Sequence, residues 1–225
     1  MSLLQVERPE PAIAVVTLDR PERRNALSVA LRDELVEVLG ELAGDDERKV
    51  VVITGRGPVF CSGFDLREFE QAMDDEAFAE ALWASSDRYH RAMASFPLVT
   101  VAALNGPAVA GGFDLAVLCD LRVAATTTTF SHPEHAFGDV VYRPLADLVG
   151  GAVARDLCLT GRIMDAGEAL DRGLVRAVVE PDAVLATALD VARAVAVAPR
   201  DTLLRTKAKA VARAGTLTID GTLDL

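Results

Sequence analysis

The sequence has little positive charge and lacks a long apolar run. Lysine and arginine number 23 against 34 aspartate and glutamate residues, which gives a formal net charge of −11. A nucleic-acid-binding surface needs clustered basic side chains, so this balance argues against that class of partner. No stretch approaches the length of a membrane span, and Gln5, Glu7 and Pro9 interrupt the region where a signal peptide is apolar. We expect a cytoplasmic protein that binds neither nucleic acid nor membrane.

Cysteine is also scarce. Cys61, Cys119 and Cys158 lie far apart, and an odd number leaves one thiol unpaired in any disulfide scheme. None of the three histidines stands at a metal-ligand spacing from a cysteine. His90 lies in a helical pattern, which predicts a position at the surface or at an interface. We expect reduced core cysteines, no metal and no separate cofactor.

Common nucleotide-binding and hydrolase motifs are missing as well. Gly55-Arg56-Gly57 follows an apolar run, but Phe60 stands where the dinucleotide fingerprint requires its third glycine. The sequence contains neither Gly-x-x-x-x-Gly-Lys-Ser/Thr nor Gly-x-Ser-x-Gly. It therefore gives no support to a phosphate-binding loop or to a serine hydrolase.

Apolar runs alternate with segments of helical spacing. Strands are predicted over residues 12–18, 49–55, 98–104, 120–125, 128–134 and 174–179, and helices over 28–42, 75–95, 143–160, 165–172 and 182–213. Ser28 is a suitable N-cap for the first helix. The run “KVVVITG” is apolar on both faces, which is typical of a strand inside a parallel sheet. The alternation predicts an α/β fold with right-handed crossovers.

Glycine-bearing loops follow two of these strands. “GRGPVFCSGFDL” follows the second and “NGPAVAGGFDL” the third, and each leads into a helix. Such loops present backbone N–H groups to an anion or to a carbonyl oxygen that is gaining charge. Tight turning alone would also explain the glycines. The second loop adds Asp114 to an apolar run, where a carboxylate is costly to bury unless a function uses it.

Five motifs resemble the crotonase (enoyl-CoA hydratase/isomerase) superfamily. In chain order they are “LDRPERRNAL”, “FCSGFDL”, “NGPAVAGGFDLAVLCDLRVA”, “FSHPEHAFG” and “LTGRIMDAGEALDRGLV”. The resemblance implies a crotonase-like α/β spiral of ββα repeats in residues 1–180. It also implies a C-terminal helical segment in residues 181–225 that is shorter than in relatives. A homotrimer or hexamer acting on an acyl-CoA is expected, with coenzyme A as part of the substrate.

The resemblance also assigns site residues. The backbone N–H groups of Phe64 and Gly111 match the oxyanion hole that binds the thioester oxygen, while Asp114 and Glu134 match the positions of two glutamates in hydratases. Hydration needs water at the β-carbon and a proton at the α-carbon, so we expect Glu134 to transfer the proton and Asp114 to position or deprotonate water. Alternatively, Asp114 is a first-turn acid favoured by the helix dipole and Glu134 a solvated acid.

The phosphates of coenzyme A require local positive charge in an acidic protein. The expected coenzyme-binding residues are Arg20, Arg23, Arg24, Ser62, Asp65 and Leu66. A solvated basic loop is the other interpretation of these arginines.

Two departures from the family pattern leave the reaction open. Asp114 is one methylene shorter than the usual glutamate, and the segment after Gly138 is shorter than in relatives, where it lines the acyl pocket. Hydration of a 2-enoyl-CoA is the predicted reaction. The alternatives are a Δ3-Δ2 enoyl-CoA isomerase that uses Glu134 alone and a catalytically silent acyl-CoA-binding homologue.

Overall fold

The computed structural model describes residues 2–214, so residues 215–225 of the predicted C-terminal segment lie outside it. The strands of the described chain are β1 (Leu4–Glu10), β2 (Ile13–Leu18), β3 (Val50–Gly55), β4 (Val99–Leu104), β5 (Ala108–Val109), β6 (Leu121–Ala125), β7 (Thr129–Ser131), β8 (Met164–Asp165) and β9 (Ala177–Val179). Its α-helices are α1 (Val29–Gly44), α2 (Leu66–Asp74), α3 (Glu76–Ser95), α4 (Gly111–Leu118), α5 (Arg143–Val149), α6 (Gly151–Thr160), α7 (Ala166–Asp171), α8 (Val184–Ala196) and α9 (Arg200–Ala214).

The strands form two sheets. The larger sheet has the order β1-β2-β3-β4-β6-β9, in which β1 is antiparallel to β2 and every other neighbouring pair is parallel. The smaller sheet has the order β5-β7-β8. Parallel strands with intervening helices confirm the predicted α/β class.

Strand β3 lies between two apolar layers. Val51 and Ile53 belong to one buried cluster, which also contains the leucines of α1. Val50 and Val52 belong to a second cluster, on the side that α8 covers. Both faces of the strand are therefore withdrawn from water, which is why its sequence is continuously apolar instead of alternating.

Some elements differ from the prediction for local reasons. Strand β1 was not predicted, because it is a partly exposed edge strand with polar residues, Pro9 and a register shift between Glu7 and Glu10. The helical stretch predicted over 143–160 is two helices, separated at Gly150 with φ of 80°. The strand predicted over 174–179 is paired only from Ala177 to Val179.

The elements that carry the glycine loops agree with the prediction. Ser28 caps α1 and accepts a hydrogen bond from Leu31 N. Strands β3 and β4 each begin one residue after the predicted start and are parallel neighbours. Because parallel neighbours end at the same edge of a sheet, the loops that follow them leave the sheet side by side.

Candidate active site

The two glycine loops pack directly against each other. Val109 N donates a hydrogen bond to Cys61 O at 3.0 Å. Gly63 has φ of +86°, and a Cβ atom there would lie 2.8 Å from Val109 O. A Cβ atom on Gly111 would lie 2.8 Å from Cδ1 of the Phe64 ring. The fold therefore brings Phe64 and Gly111, the two predicted oxyanion-hole residues, next to each other.

The backbone N–H groups of Phe64 and Gly111 are both available. Neither donates a hydrogen bond to another residue in the described chain. The carbonyl of the peptide group that contains the Phe64 N–H belongs to Gly63, and it accepts a hydrogen bond from Leu27 N at 2.8 Å. Each N–H can therefore donate to an oxygen atom of a bound molecule.

The second loop turns sharply at Ala110. This residue has φ of 51° and ψ of −128°, an unusual conformation for a residue with a side chain. Its N–H donates to Ser131 O at 2.9 Å, and its carbonyl accepts from Phe113 N at 2.7 Å and Asp114 N at 3.1 Å. The turn starts α4 at Gly111 and places Asp114 in the first turn of that helix.

Asp114 and Glu134 both lie close to one ring nitrogen of the same histidine. His132 Nδ1 is 2.8 Å from Glu134 Oε1 and 3.9 Å from Asp114 Oδ1. The side chain of His132 is fully buried, and those of Asp114 and Glu134 are 8% and 16% exposed. Asp114 Oδ1 and Glu134 Oε2 are buried and have no hydrogen-bond partner among the described residues. Each carboxyl group thus retains an oxygen that can accept a hydrogen bond.

Burial sets the electrostatics of this group. It raises the pKa of Asp114 to about 7, with a smaller opposing effect of His132 and a further increase from the charge of Glu134. Burial by itself would lower the pKa of His132, but the hydrogen bond to Glu134 and the charges of both carboxyl groups raise it overall. The ring of Phe113 stacks on His132 at a centroid distance of 4.7 Å. The group can therefore hold or release a proton near neutral pH.

The sequence matches a known family over almost its whole length. A model of the enoyl-CoA hydratase/isomerase family matches residues 8–220. The chain belongs to the enoyl-CoA hydratase/isomerase family. The predicted resemblance to the crotonase superfamily is thereby confirmed.

Individual relatives include members with either activity in their names. A Thermus thermophilus protein with the name of an enoyl-CoA hydratase is 39% identical over 200 residues, which is 86% of this chain and 78% of the relative. The crystal structure of an enoyl-CoA hydratase from Mycobacterium tuberculosis matches with a TM-score of 0.79 at 32% identity, and the match covers 92% of this chain and 88% of the hydratase chain. The crystal structure of a monofunctional enoyl-CoA isomerase from M. smegmatis matches with a TM-score of 0.80 at 30% identity, and the match covers 95% of this chain and 94% of the isomerase chain. The predicted crotonase fold is confirmed.

In this family member, Arg20 faces the protein interior. Its Nη1 donates to Ala26 O at 2.7 Å, and its Nη2 donates to Asp65 Oδ2 at 3.1 Å. The side chains of Arg20 and Asp65 are only 14% and 13% exposed. Both residues were predicted at the coenzyme, but their charged groups are engaged with each other and with the backbone.

The other predicted coenzyme-binding residues lie closer to solvent. Arg24 and Leu66 are exposed, and Arg23 and Ser62 are partly buried. Ser62 N donates to Arg24 O at 3.0 Å, which joins the arginine loop to the first glycine loop. The contact of these residues with the coenzyme stays a prediction, as does the alternative of a solvated basic loop.

Asn25 is a buried residue of the site region that the sequence analysis did not identify. Its Nδ2 donates to three carbonyl oxygens of the first glycine loop, those of Arg56, Val59 and Phe60, at 3.0, 2.8 and 3.2 Å. Asn25 itself has φ of 56°. No periodic pattern marks such a residue, because its partners are backbone atoms more than thirty positions away.

Arg32 is a second residue that was not identified. It is fully buried, donates to Leu27 O at 2.6 Å, and places its guanidinium 4.3 Å from the centroid of the Phe64 ring. A signal existed, because position 32 follows Ser28 and precedes Leu35 and Leu39 at helical spacings on the buried side of α1. A charged residue at such a position indicates a specific partner.

The position predicted for His90 was wrong. This residue is 1% exposed and lies beside Tyr89, with ring centroids 4.8 Å apart. Burial lowers its pKa to about 4.

Residues 2–214 contain neither a cluster of three potential metal-binding side chains nor a helix with the length and apolar character required to cross a membrane.

Proposed function

We propose that this protein is an enoyl-CoA hydratase that adds water to a 2-enoyl-CoA. The observation that carries this proposal is the arrangement of Asp114 and Glu134 about His132, with a buried oxygen of each carboxyl group lacking a hydrogen-bond partner in the described chain. Hydration requires one group to receive a proton from water and another to supply one to carbon. Two adjacent carboxyl groups that share one proton meet both requirements.

In this proposal the thioester oxygen accepts hydrogen bonds from Phe64 N and Gly111 N. Water attacks the β-carbon, and the π electrons move onto the thioester oxygen to give an enolate. Removing one such backbone donor typically costs about 10²–10³-fold in rate, because the donors are oriented before charge develops. The availability of both N–H groups supports this role.

We assign the proton transfers to the two carboxyl groups. Glu134 delivers a proton to the α-carbon as the enolate collapses, and the attacking water gives its proton to Asp114. One proton leaves the pair at Glu134 and one enters it at Asp114, so the pair holds the same number of protons before and after the step. A pKa of about 7 for Asp114 suits a group that must gain and lose a proton near neutral pH.

The test follows the ultraviolet absorbance of the conjugated thioester. Crotonyl-CoA mixed with the native protein should lose this absorbance, and Glu134→Gln should slow the loss by about 10²–10⁴-fold, as expected for a general acid. Asp114→Asn should also be slow, because its amide cannot accept the proton from water. An unchanged absorbance with the native chain would exclude hydration of this substrate. A fully active Asp114→Asn variant would remove Asp114 from the mechanism.

A second candidate is a Δ3-Δ2 enoyl-CoA isomerase that uses Glu134 alone. The burial and raised pKa of Asp114 favour it, because a neutral Asp114 would not act as a base at slightly acidic pH. A 3-enoyl-CoA would then gain conjugated-thioester absorbance in the presence of Asp114→Asn as well as native protein. If neither substrate reacts but acyl-CoA binds, the protein is a silent binder.

We also propose that Arg23, Arg24, Ser62 and Leu66 lie along the coenzyme. Their exposure or partial exposure beside the first glycine loop supports this placement.

We further propose that residues 1–180 form the spiral unit, with residues 181–225 as its C-terminal segment, and that the protein assembles as a homotrimer or hexamer. Sedimentation velocity of the full chain tests the assembly, and a monomer would contradict it.

A further inference from the structure

The peptide group between Gly63 and Phe64 is held at its carbonyl end. One planar unit contains the Gly63 carbonyl and the Phe64 N–H, so a hydrogen bond accepted by the first polarises the second. Gly63 O accepts from Leu27 N at 2.8 Å. The Phe64 N–H at the other end of the unit is the oxyanion-hole donor of the proposed function.

The next peptide group in the series ends at an arginine. The Leu27 N–H shares its peptide unit with the Ala26 carbonyl, and Ala26 O accepts a hydrogen bond from Arg20 Nη1 at 2.7 Å. Arg20 Nη2 is held by Asp65 Oδ2 at 3.1 Å, and both side chains are largely buried. The guanidinium is therefore fixed in direction and partly shielded from water.

These contacts form one continuous series from a cation to the available N–H. Arg20 donates to the peptide of Ala26 and Leu27, which donates to the peptide of Gly63 and Phe64. Hydrogen bonds in such a series strengthen one another, and a charged donor at one end strengthens the first bond further. We propose that Arg20 is a positioning residue that orients and polarises the Phe64 N–H toward the thioester oxygen.

This role differs from the coenzyme contact expected from the sequence. An arginine that binds a phosphate directs its guanidinium to the ligand, whereas Arg20 uses both terminal nitrogens on Ala26 and Asp65. Arg24, four residues away, is exposed and serves as a matched control for the coenzyme. The inference rests on the proposed function, because it requires a thioester oxygen at Phe64 N.

The test uses butyryl-CoA labelled with ¹³C at the thioester carbonyl, a saturated thioester that cannot be hydrated. Infrared difference spectra of the bound molecule report carbonyl polarisation directly. The native protein should lower the carbonyl stretching frequency relative to solution. Arg20→Gln should recover part of that shift, Arg20→Lys should lie between them, and Arg24→Gln should weaken binding with an unchanged shift.

Turnover of crotonyl-CoA gives a second measurement. If a hydrogen-bonded series contributes about 10–30% of the strength of a donor worth 10²–10³ in rate, Arg20→Gln should lower kcat about two- to eightfold. KM should change less than kcat. Melting temperatures of both Arg20 variants establish that each is folded.

The outcomes separate the inference from the function on which it rests. A native protein that binds butyryl-CoA with a lowered frequency, together with a smaller shift in Arg20→Gln, supports the series. An equal shift in native protein and folded Arg20→Gln overturns the proposed role of Arg20. An increase in KM alone would also overturn it, and would indicate instead that Arg20 contacts the coenzyme. A native protein that neither binds nor shifts butyryl-CoA overturns the proposed function and the inference together.

Discussion

The two halves of the candidate oxyanion hole are built from contacts of very different range. The carbonyl behind the Phe64 N–H is held by Leu27, which lies 36 residues earlier in the chain, and through Ala26 by Arg20. The carbonyl behind the Gly111 N–H belongs to Ala110 and is held by the first turn of α4, three and four residues later. The second donor depends on the helix that begins at it, and the first depends on one distant segment, which contains Arg20, Ala26 and Leu27.

The difference also extends to how each half is strained. The first loop turns at Gly63, where a positive φ costs little, and is held by the buried amide of Asn25. The second loop places a positive φ on Ala110, where it costs more. We therefore expect the first half to be sensitive to distant substitutions and the second to be sensitive to changes within the turn.

The largest expected contrast is between alanine substitutions of two glycines. Gly63→Ala forces a left-handed φ on alanine and brings Cβ to 2.8 Å from Val109 O, a backbone atom that cannot move away easily. We expect kcat for crotonyl-CoA to fall about 10²–10³-fold, as for the loss of one donor. In Gly111→Ala the new Cβ atom meets a carbon of the Phe64 ring, and this side chain can rotate away. The decrease in kcat should therefore be smaller than for Gly63→Ala. Equal losses would show that the loops respond alike.

A second contrast arises because α4 carries a buried carboxyl group. The pKa of Asp114 is about 7 in the folded chain against an ordinary value of 3.8, so between these values the native state retains a proton that the unfolded state releases. Stability should therefore fall as pH rises from about 4 to 7. Asp114→Asn removes this loss and should stabilise the protein by an amount on the order of 2–4 kcal/mol at pH 8, with little effect at pH 4.

Urea unfolding of both proteins at the two pH values measures this effect. A gain of equal size at pH 4 and pH 8 would mean that ionisation of Asp114 does not oppose folding.

The third prediction concerns the distant support of the first loop. Asn25→Ala leaves three carbonyl oxygens of the first glycine loop without their amide donor, and we expect a loss of about 2 kcal/mol in the free energy of unfolding. Asn25→Asp preserves the acceptor for Arg20 N but not the donor, so it should be at least as unstable. Urea unfolding measures both. A stable Asn25→Asp variant would contradict the assigned orientation of the amide.

The range of these contacts also explains what the sequence could predict. Strands β2, β3, β4 and β6 are runs of consecutive apolar residues, which a sequence shows directly. Each strand begins within one residue of its prediction. Strand β1 has one exposed edge and polar side chains, so its sequence does not differ from that of a loop. The spacing of apolar residues indicates which face of an element is buried, but it does not indicate that an edge strand pairs with a sheet.

The candidate site shows the same division. Asp114 and Glu134 were selected from short motifs by the family resemblance, and their catalytic roles stay a prediction. Asn25 was missed because its partners are backbone atoms whose positions depend on the complete fold, and Arg32 was missed although its place on the buried side of α1 was a signal. Arg20 was noticed but expected at the coenzyme, since a sequence does not show in which direction a guanidinium points. The type of a residue predicts which interactions its side chain can make, but only the tertiary structure shows which partner the side chain contacts.

The smallest expected effect tests the strain in the second loop. Ala110 has φ of 51° and ψ of −128°, which glycine adopts at less cost. Ala110→Gly should therefore raise the free energy of unfolding by about 0.5–1 kcal/mol, because relief of the strain exceeds the added flexibility of the unfolded chain. Arg24→Gly is the matched control, since its φ of 52° and ψ of 36° is a common left-handed conformation and the gain there should be smaller. Urea unfolding compares the two, and an Ala110→Gly protein less stable than the native chain would show that the turn at Ala110 is not strained.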